Sequence, residues 1–308
     1  MIKGIVIKTT GTFYSVKTEN GETFSCRIRG KIRLENSRST SPAVVGDCVN
    51  IDKDKRSEDY FIVFIHERKN HIVRKSINLS KQTHVIAANI DQAVLIVTLA
   101  LPKTSLQFID RYLVTCEAYR IPGILVFNKI DLYDKDILSE LKEYQDIYTK
   151  AGYRCYSVSA VTMEGMDEFR TLIKDKTSLL SGHSGVGKST LINAVEPGLK
   201  LKVQEISEYH LKGKHTTTFS EMLPLSSGGY IIDTPGIKGF GLFNIEKKEL
   251  FHFFPEMLRM AGQCQYYNCT HVQEPGCKVR EALESSEISI SRYMSYLGML
   301  ESSDEKHR

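Results

Sequence analysis

The chain has 308 residues, of which 41% are hydrophobic and 25% charged, and this composition argues against a disordered or fibrous protein. No apolar run approaches the roughly 18 residues that a membrane-spanning helix needs. The alternating N-terminal segment also differs from a signal peptide, so we expect a cytoplasmic protein with no membrane partner. The net charge of +4 only weakly indicates an anionic partner, because the position of the charges matters more than their sum.

Residues 1–68 predict a small β-barrel. Apolar and polar residues alternate in several short runs, and Asn20-Gly21 between two of these runs is typical of a hairpin turn. Short strands with turns favour an OB-fold barrel, whose loops often bind oligonucleotides. Basic residues that could contact RNA are concentrated on one strand and the loop after it, namely Arg27, Arg29, Lys31, Arg33 and Arg38. The same charges could instead keep an edge strand soluble.

Residues 69–243 predict a parallel α/β domain. Strands of the fully buried type alternate with amphipathic helices, one of which should end at Gly152. Ligands bind at the carboxyl ends of the strands in such a sheet. Polar motifs that follow these strands are therefore the first candidates for a functional site.

The segment Gly182–Ser189, GHSGVGKS, has the spacing of a phosphate-binding loop and lies between a predicted strand and a predicted helix. Its glycines would let backbone N–H groups turn toward the phosphates, Lys188 would reach the β- and γ-phosphates, and Ser189 would bind Mg²⁺. The candidate nucleotide-binding residues here are Gly182, His183, Ser184, Gly185, Val186, Gly187, Lys188, Ser189 and Thr190. The backbone does most of the binding in such loops, so the His183 side chain has no assigned role.

A second motif, NKID, follows the buried strand GILVF. A carboxylate at Asp131 can accept hydrogen bonds from the ring N–H and the exocyclic amine of guanine, a donor pair that adenine lacks, so the motif selects GTP over ATP. Asn128 would tie the base-binding loop to the phosphate loop, and the stem of Lys129 would lie along the purine. Ser159 and Ala160 stand at the end of the next predicted strand. The loop that begins there is similar to loops that contact guanine O6.

Residues nearer the C-terminus would bind the metal and the γ-phosphate. Asp233, in the sequence DTPG, would contribute to the Mg²⁺ shell, and the Gly236 N–H would bind the γ-phosphate and sense its loss. One residue of the run Thr216, Thr217 and Thr218 could complete the metal shell, with Thr217 as the candidate. The run could equally be the ordinary start of a strand.

The motifs stand in the order base motif, SA loop, phosphate loop, threonine loop and DTPG, whereas GTPases usually begin with the phosphate loop. Nucleotide binding depends on where the strand ends lie in space and not on their order in the sequence. The original termini of a domain can therefore be joined and new termini created elsewhere. We therefore interpret the domain as a circularly permuted, Ras-like P-loop GTPase domain. Its γ-phosphate sensor would lead directly into the C-terminal segment.

Residues 244–308 predict a mainly helical segment with too little apolar content for a large core of its own. Cys264, Cys269, His271 and Cys277 in this segment have the spacing C-x4-C-x-H-x5-C, which matches a closed structural zinc site. One structural Zn²⁺ would supply the missing stabilisation. The alternative is a set of unrelated buried cysteines, and four protein ligands would leave no open position for catalysis.

This combination of a basic barrel, permuted NKID, GHSGVGKS and DTPG motifs, and a Cys/His knuckle closely resembles the bacterial small ribosomal subunit-dependent GTPase family, RsgA/YjeQ, over nearly the full length. The resemblance implies an OB-fold domain, a permuted GTPase domain and a zinc domain. It also implies slow hydrolysis of GTP to GDP, stimulated by the small (30S) ribosomal subunit during its late maturation. Contacts would be made with 16S rRNA near the decoding region and not with DNA.

The water-orienting Gln of Ras-like proteins is replaced by Ile237, which cannot hold the attacking water, so intrinsic hydrolysis should be slow. His215 is the internal candidate for completing the catalytic site, although it could instead contact solvent or RNA. An RNA-binding module that uses GTP as a structural ligand, without significant turnover, is the alternative function. An ATP-driven remodelling enzyme is disfavoured by Asp131. We expect a monomer.

Overall fold

The computed structural model describes residues 1–10, 12–28, 42–54, 59–75, 83–199, 221–233 and 245–302. These residues form two compact units. The first contains the described residues of 1–93, 170–181 and 189–239, and the second contains those of 94–169, 182–188 and 240–308. The division of the chain into domains 1–68, 69–243 and 244–308 remains a prediction.

Strands and helices follow the order expected from the sequence. The strands are β1 (Ile2–Thr9), β2 (Tyr14–Thr18), β3 (Thr23–Ile28), β4 (Cys48–Lys53), β5 (Tyr60–Ile65), β6 (His71–Lys75), β7 (Thr83–Ala88), β8 (Gln92–Val97), β9 (Gly123–Asn128), β10 (Arg154–Val158), β11 (Thr177–Ser181), β12 (Glu221–Pro224) and β13 (Tyr230–Asp233). The α-helices are α1 (Leu106–Ala118), α2 (Lys135–Ala151), α3 (Met166–Ile173), α4 (Lys188–Val195), α5 (Pro255–Ala261), α6 (Lys278–Glu284) and α7 (Ile290–Ser302). A 3₁₀ helix covers Lys247–Phe253.

The first unit begins with a closed barrel of five strands in the order β1-β2-β3-β5-β4, with β4 paired back to β1. The β3–β5 pair is parallel. The predicted OB-fold barrel and its hairpin are confirmed, since Gly21 has φ 84° and its N–H donates to Thr18 O between β2 and β3. Alternate strand residues fill the interior, namely Val6, Val16, Cys26, Val49, Ile51 and Ile62.

The rest of the first unit contains two further β-structures. Strands β6 and β7 form an antiparallel hairpin, which the sequence analysis did not assign. Strand β13 runs parallel to β11 on one side and antiparallel to β12 on the other. Strand β12 also pairs with barrel strand β1, where Lys8 lies opposite Glu221.

The second unit contains strands β10 and β9 and, from Val94, the rest of β8, and β9 and β10 are parallel as predicted. Helix α1 begins after Ser105, whose hydroxyl accepts a hydrogen bond from the Phe108 N–H. Helix α2 ends at Gly152, which has φ 111° and confirms the predicted stop. Among the residues described, no helix has the length and apolar character that crossing a membrane requires.

The C-terminal segment has a larger core than its composition indicated. Helices α5, α6 and α7 share a cluster of buried residues that includes Phe254, Met257, Val279 and Tyr296. Val114 of helix α1 belongs to the same cluster. Packing against α1 therefore stabilises the segment, and a metal site is not its sole source of stability.

Candidate functional site

The predicted phosphate loop directly follows strand β11 and leads into helix α4, the context that such a loop requires. Two of its glycines are needed sterically. Gly182 has φ 148° and a Cβ there would lie 2.6 Å from Ile96 O, while Gly187 has φ 92° and a Cβ would lie 2.4 Å from Asn128 Nδ2. The Lys188 ammonium folds over the loop, donating to Gly182 O at 2.6 Å and to His183 O at 2.7 Å.

The remaining loop residues differ in exposure. His183, Ser184 and Gly185 are exposed, whereas the Val186 side chain is fully buried and anchors the loop. The backbone carbonyl of Val186 remains available and accepts a hydrogen bond from Asn128 Nδ2 at 2.8 Å. This bond joins the base motif to the phosphate loop, as the sequence analysis expected.

The parallel pairing of β9 and β10 brings the two predicted base-binding loops together, because Val158 lies opposite Asn128. Ser159 Oγ donates a 2.5 Å hydrogen bond to Asp131 Oδ1 and accepts from the N–H groups of Val161 and Thr162. The carboxylate is thus held in one orientation by the next loop. Ala160 follows Ser159 in that loop.

Asn128 also offers a polar atom that requires a ligand or water. The side chain is 2% exposed, and its Oδ1 has no partner among the described residues. Buried polar atoms are nearly always hydrogen-bonded in native proteins. The acceptor that can reach a ligand is the exposed Asp131 carboxylate, which Ser159 orients and which fits a hydrogen-bonding heterocycle such as guanine.

Two candidate metal-binding residues lie in the first unit. Ser189 is buried in the first turn of α4, with Thr190 after it. The Asp233 backbone ends β13 beside the end of β11, since Ile232 pairs with Leu179. Several candidates lie outside the described residues, namely Arg29, Lys31, Arg33, Arg38, His215, Thr216, Thr217, Thr218, Gly236 and Ile237.

The cysteine cluster forms a compact ligand set in the second unit. The ligand atoms of Cys264, Cys269, His271 and Cys277 all lie within 4.8 Å of one another. His271 Nδ1 is 3.7 Å from Cys264 Sγ and 3.5 Å from Cys277 Sγ, so Nδ1 is the nitrogen that faces the thiols. Tetrahedral zinc with bonds of about 2.0–2.3 Å holds its ligands roughly 3.5–3.8 Å apart. The cluster therefore fits Zn²⁺.

Hydrogen bonds fix the loop that carries His271. The Glu274 carboxylate accepts from Thr270 N, Thr270 Oγ1, Val272 N and Gln273 N. Burial opposes the ionisation of Glu274, but these hydrogen bonds outweigh it and lower its pKa to about 2. In addition, Tyr293 Oη donates to His271 O at 2.7 Å. The ligand loop is therefore preorganised from both sides.

Sequence reasoning missed Tyr133, a buried residue just beyond the NKID motif. Its hydroxyl donates to Asn128 O at 2.8 Å and accepts from Leu99 N at 2.9 Å. No spacing rule marks a tyrosine in this position, because its role depends on a contact with the loop after β8.

Comparisons with known proteins agree over the whole chain. The RsgA GTPase family matches residues 65–243, and the RsgA N-terminal domain matches residues 3–61. The small ribosomal subunit biogenesis GTPase RsgA of Bacteroides fragilis is 55% identical over 99% of this chain and 98% of its own length. The protein of the same name from Flavobacterium psychrophilum is 51% identical over 99% of this chain and 94% of its own.

Two solved structures share the fold. YjeQ from Thermotoga maritima has a TM-score of 0.80 at 37% identity, covering 98% of each chain. YloQ, described as a circularly permuted GTPase, has a TM-score of 0.78 at 29% identity, covering 99% of this chain and 96% of its own. The permuted motif order expected from the sequence is therefore matched by a solved relative, and the chain belongs to the RsgA GTPase family.

Proposed function

We propose that the protein is a GTP phosphohydrolase that binds the small ribosomal subunit and hydrolyses GTP during the late maturation of that subunit. The observation that carries this proposal is the joined corner of Asn128, Asp131 and Ser159, which is hydrogen-bonded to the phosphate loop. The names of the relatives, small ribosomal subunit biogenesis GTPases, indicate the partner.

Guanine selection is assigned to Asp131. Because Ser159 holds one carboxylate oxygen, the group is oriented to accept from the two adjacent N–H donors of guanine. We expect Asp131→Asn to weaken GTP binding about 100-fold and to favour xanthine nucleotides, since an amide can donate to the xanthine oxygen. Competition binding with GTP, ATP and XTP measures this shift. Unchanged GTP affinity in the variant would remove Asp131 from the base site.

Phosphate and metal binding are assigned to the loop and the ends of neighbouring strands. Lys188 would exchange its bonds to the loop carbonyls for the β- and γ-phosphates, and Ser189, Asp233 and Thr217 would hold Mg²⁺. The Gly236 N–H would bind the γ-phosphate. The bound Mg²⁺ would neutralise part of the negative charge on the phosphates.

Ribosome stimulation is the decisive test of the function. GTP turnover should be slow for the protein alone or with large subunits, because the Ile237 side chain cannot orient the attacking water. It should rise about tenfold or more with small subunits. The His215→Ala protein should lose most of that rise while keeping its GDP affinity, if His215 orients the water. Equal slow turnover in all three conditions would favour an RNA-binding module that uses GTP only as a ligand.

The remaining assignments concern the barrel and the Cys/His cluster. We assign the binding of 16S rRNA to the barrel. Arg27 and the basic residues that follow it in the sequence would contact the RNA phosphates. We assign one structural Zn²⁺ to Cys264, Cys269, His271 and Cys277. We expect the protein to be monomeric and cytoplasmic when it binds the small subunit.

A further inference from the structure

We propose that residues 98–108, which connect strand β8 to the first turn of α1, form a brace that positions both Lys129 and the phosphate loop for the nucleotide. This inference rests on the proposed function, since it concerns the same nucleotide site. None of the motifs found in the sequence includes these residues.

The brace is closed on itself by hydrogen bonds. Thr104 N donates to Thr98 O at 2.8 Å, and Thr98 N donates to Thr104 Oγ1 at 3.3 Å. Thr98 Oγ1 donates to Pro102 O at 2.5 Å. Both threonines are fully buried. Ser105 then caps α1, so the loop has a fixed shape that needs no ligand.

On the base side, the brace holds the NKID motif. Lys129 Nζ donates to Leu101 O at 2.8 Å, and Lys129 itself has φ 66°. The Tyr133 hydroxyl accepts a hydrogen bond from Leu99 N and donates one to Asn128 O, so it links the brace to the motif. An unrestrained lysine would lose considerable rotamer entropy when its stem is ordered against a purine. Because the Leu101 carbonyl already holds the ammonium group, much of that entropy is lost before the nucleotide binds.

On the phosphate side, the brace lies beside the glycine loop at two places. Pro102 is next to Gly185, since a Cβ added at Gly185 would lie 3.5 Å from Pro102 Cδ. The Phe108 ring packs on the His183 ring, with centroids 4.0 Å apart and planes tilted by 32°. The same His183 carries the carbonyl that accepts from Lys188 Nζ. The ring contact therefore restrains the part of the loop that holds Lys188.

These contacts predict a specific energetic signature. A brace that preorganises the site affects GDP and GTP equally, because both share the base, the ribose and the β-phosphate. It should not alter the preference for guanine over xanthine, which depends on Asp131. Loss of the brace should raise KM with kcat unchanged, as expected when uniform binding is removed. A residue that acted in the transition state would lower kcat instead.

The test measures the affinity of the purified full-length protein for fluorescent GDP and GTP analogues, with the melting temperature of each variant. Phe108→Ala should weaken the binding of both nucleotides about fivefold, because it removes the aromatic contact that restrains the loop. Phe108→Tyr keeps the ring and should restore wild-type affinity. Phe64→Ala is the matched control, since it removes a phenylalanine of barrel strand β5 whose ring contacts that of His66.

Tyr133→Phe is the second variant, because it deletes the hydroxyl at constant shape and tests the base side even if Phe108→Ala is unstable. It should also weaken GDP and GTP equally, about fivefold. Affinities within twofold of wild type in Tyr133→Phe, and in folded Phe108→Ala, would overturn the proposal, as would a change in guanine-over-xanthine preference. Failure of the proposed function is distinguishable, since it would appear in the wild-type protein, as turnover that small subunits do not stimulate or as loss of guanine nucleotide binding.

Discussion

Removal of the metal from the purified protein should unfold the C-terminal ligand segment while the barrel remains folded. Structural zinc contributes on the order of 10 kcal/mol in small zinc-binding segments. Cys269 and Cys277 are part of the buried core of helices α5 to α7, so loss of a metal bound to both would disturb that core directly. We expect one zinc per chain before chelation, and faster tryptic cleavage at Lys278 and Arg280 after it.

Zinc binding by this cluster should strengthen as the pH rises. Burial raises the pKa of the Cys269 thiol to about 12 and also raises the pKa of Cys277, so zinc must displace protons from both. Burial lowers the pKa of His271, which keeps the imidazole neutral and able to bind at neutral pH. Apparent zinc affinity should therefore fall about tenfold for each unit by which the pH is lowered, for each thiol proton displaced.

A cysteine outside the cluster provides the control for the metal site. Cys269→Ser should release the zinc and reproduce the proteolytic sensitivity, whereas Cys48→Ser, on barrel strand β4, should do neither. The proposed site is wrong if the chelated protein keeps its wild-type melting temperature and resistance to trypsin. It is also wrong if the metal content is unaffected by Cys269→Ser.

Features that depend on local backbone chemistry could be predicted from the sequence. The glycine spacing of the phosphate loop reflects positive φ values at Gly182 and Gly187, which few other residues adopt. The end of helix α2 was predictable for the same reason at Gly152. The convergence of Cys264, Cys269, His271 and Cys277 was predictable, because thiol and imidazole side chains in a short span serve few purposes other than metal binding.

Features that depend on distant contacts could not be predicted. The parallel β3–β5 pairing within the barrel joins strands that are separated in the sequence by β4, and alternation alone does not specify partners. Phe108 and Tyr133 read as ordinary core residues, because only the folded chain shows that they contact the nucleotide motifs. Arg292 occupies a helix position that the sequence would place in solvent, since unpaired arginine is rarely buried.

Arg292 forms a buried ionic cluster that joins the C-terminal helix α7 to two other helices. Its guanidinium donates to Asp110 of α1 at 2.8 Å, and to Glu256 of α5 at 2.7 and 3.2 Å. The side chain is 1% exposed, and Tyr148 Oη completes the cluster by donating to Asp110 at 2.9 Å. Such charges are stable in the interior only as a complete set, because each alone carries a large desolvation cost.

Loss of one member should therefore be severe and dependent on pH. Arg292→Met should destabilise the protein by about 3–5 kcal/mol at pH 8, since two buried carboxylates lose their counter-charge. Burial raises the pKa of Asp110 even beside Arg292, and without the guanidinium it should rise further. A raised folded-state pKa gives stability that is present below the unfolded pKa and lost as the pH rises, so the variant should be closer to wild type at pH 5.

Urea unfolding at both pH values measures the effect of Arg292→Met, and two further proteins identify its cause. Arg280→Met removes an exposed arginine of the same segment and should change stability by less than about 0.5 kcal/mol. Adding Asp110→Asn and Glu256→Gln to Arg292→Met should recover most of the loss, because neutral amides no longer need a counter-charge. If Arg292→Met were as stable as Arg280→Met at pH 8, the cluster would not hold α7 to α1, and the apolar core around Val114 would have to do so alone.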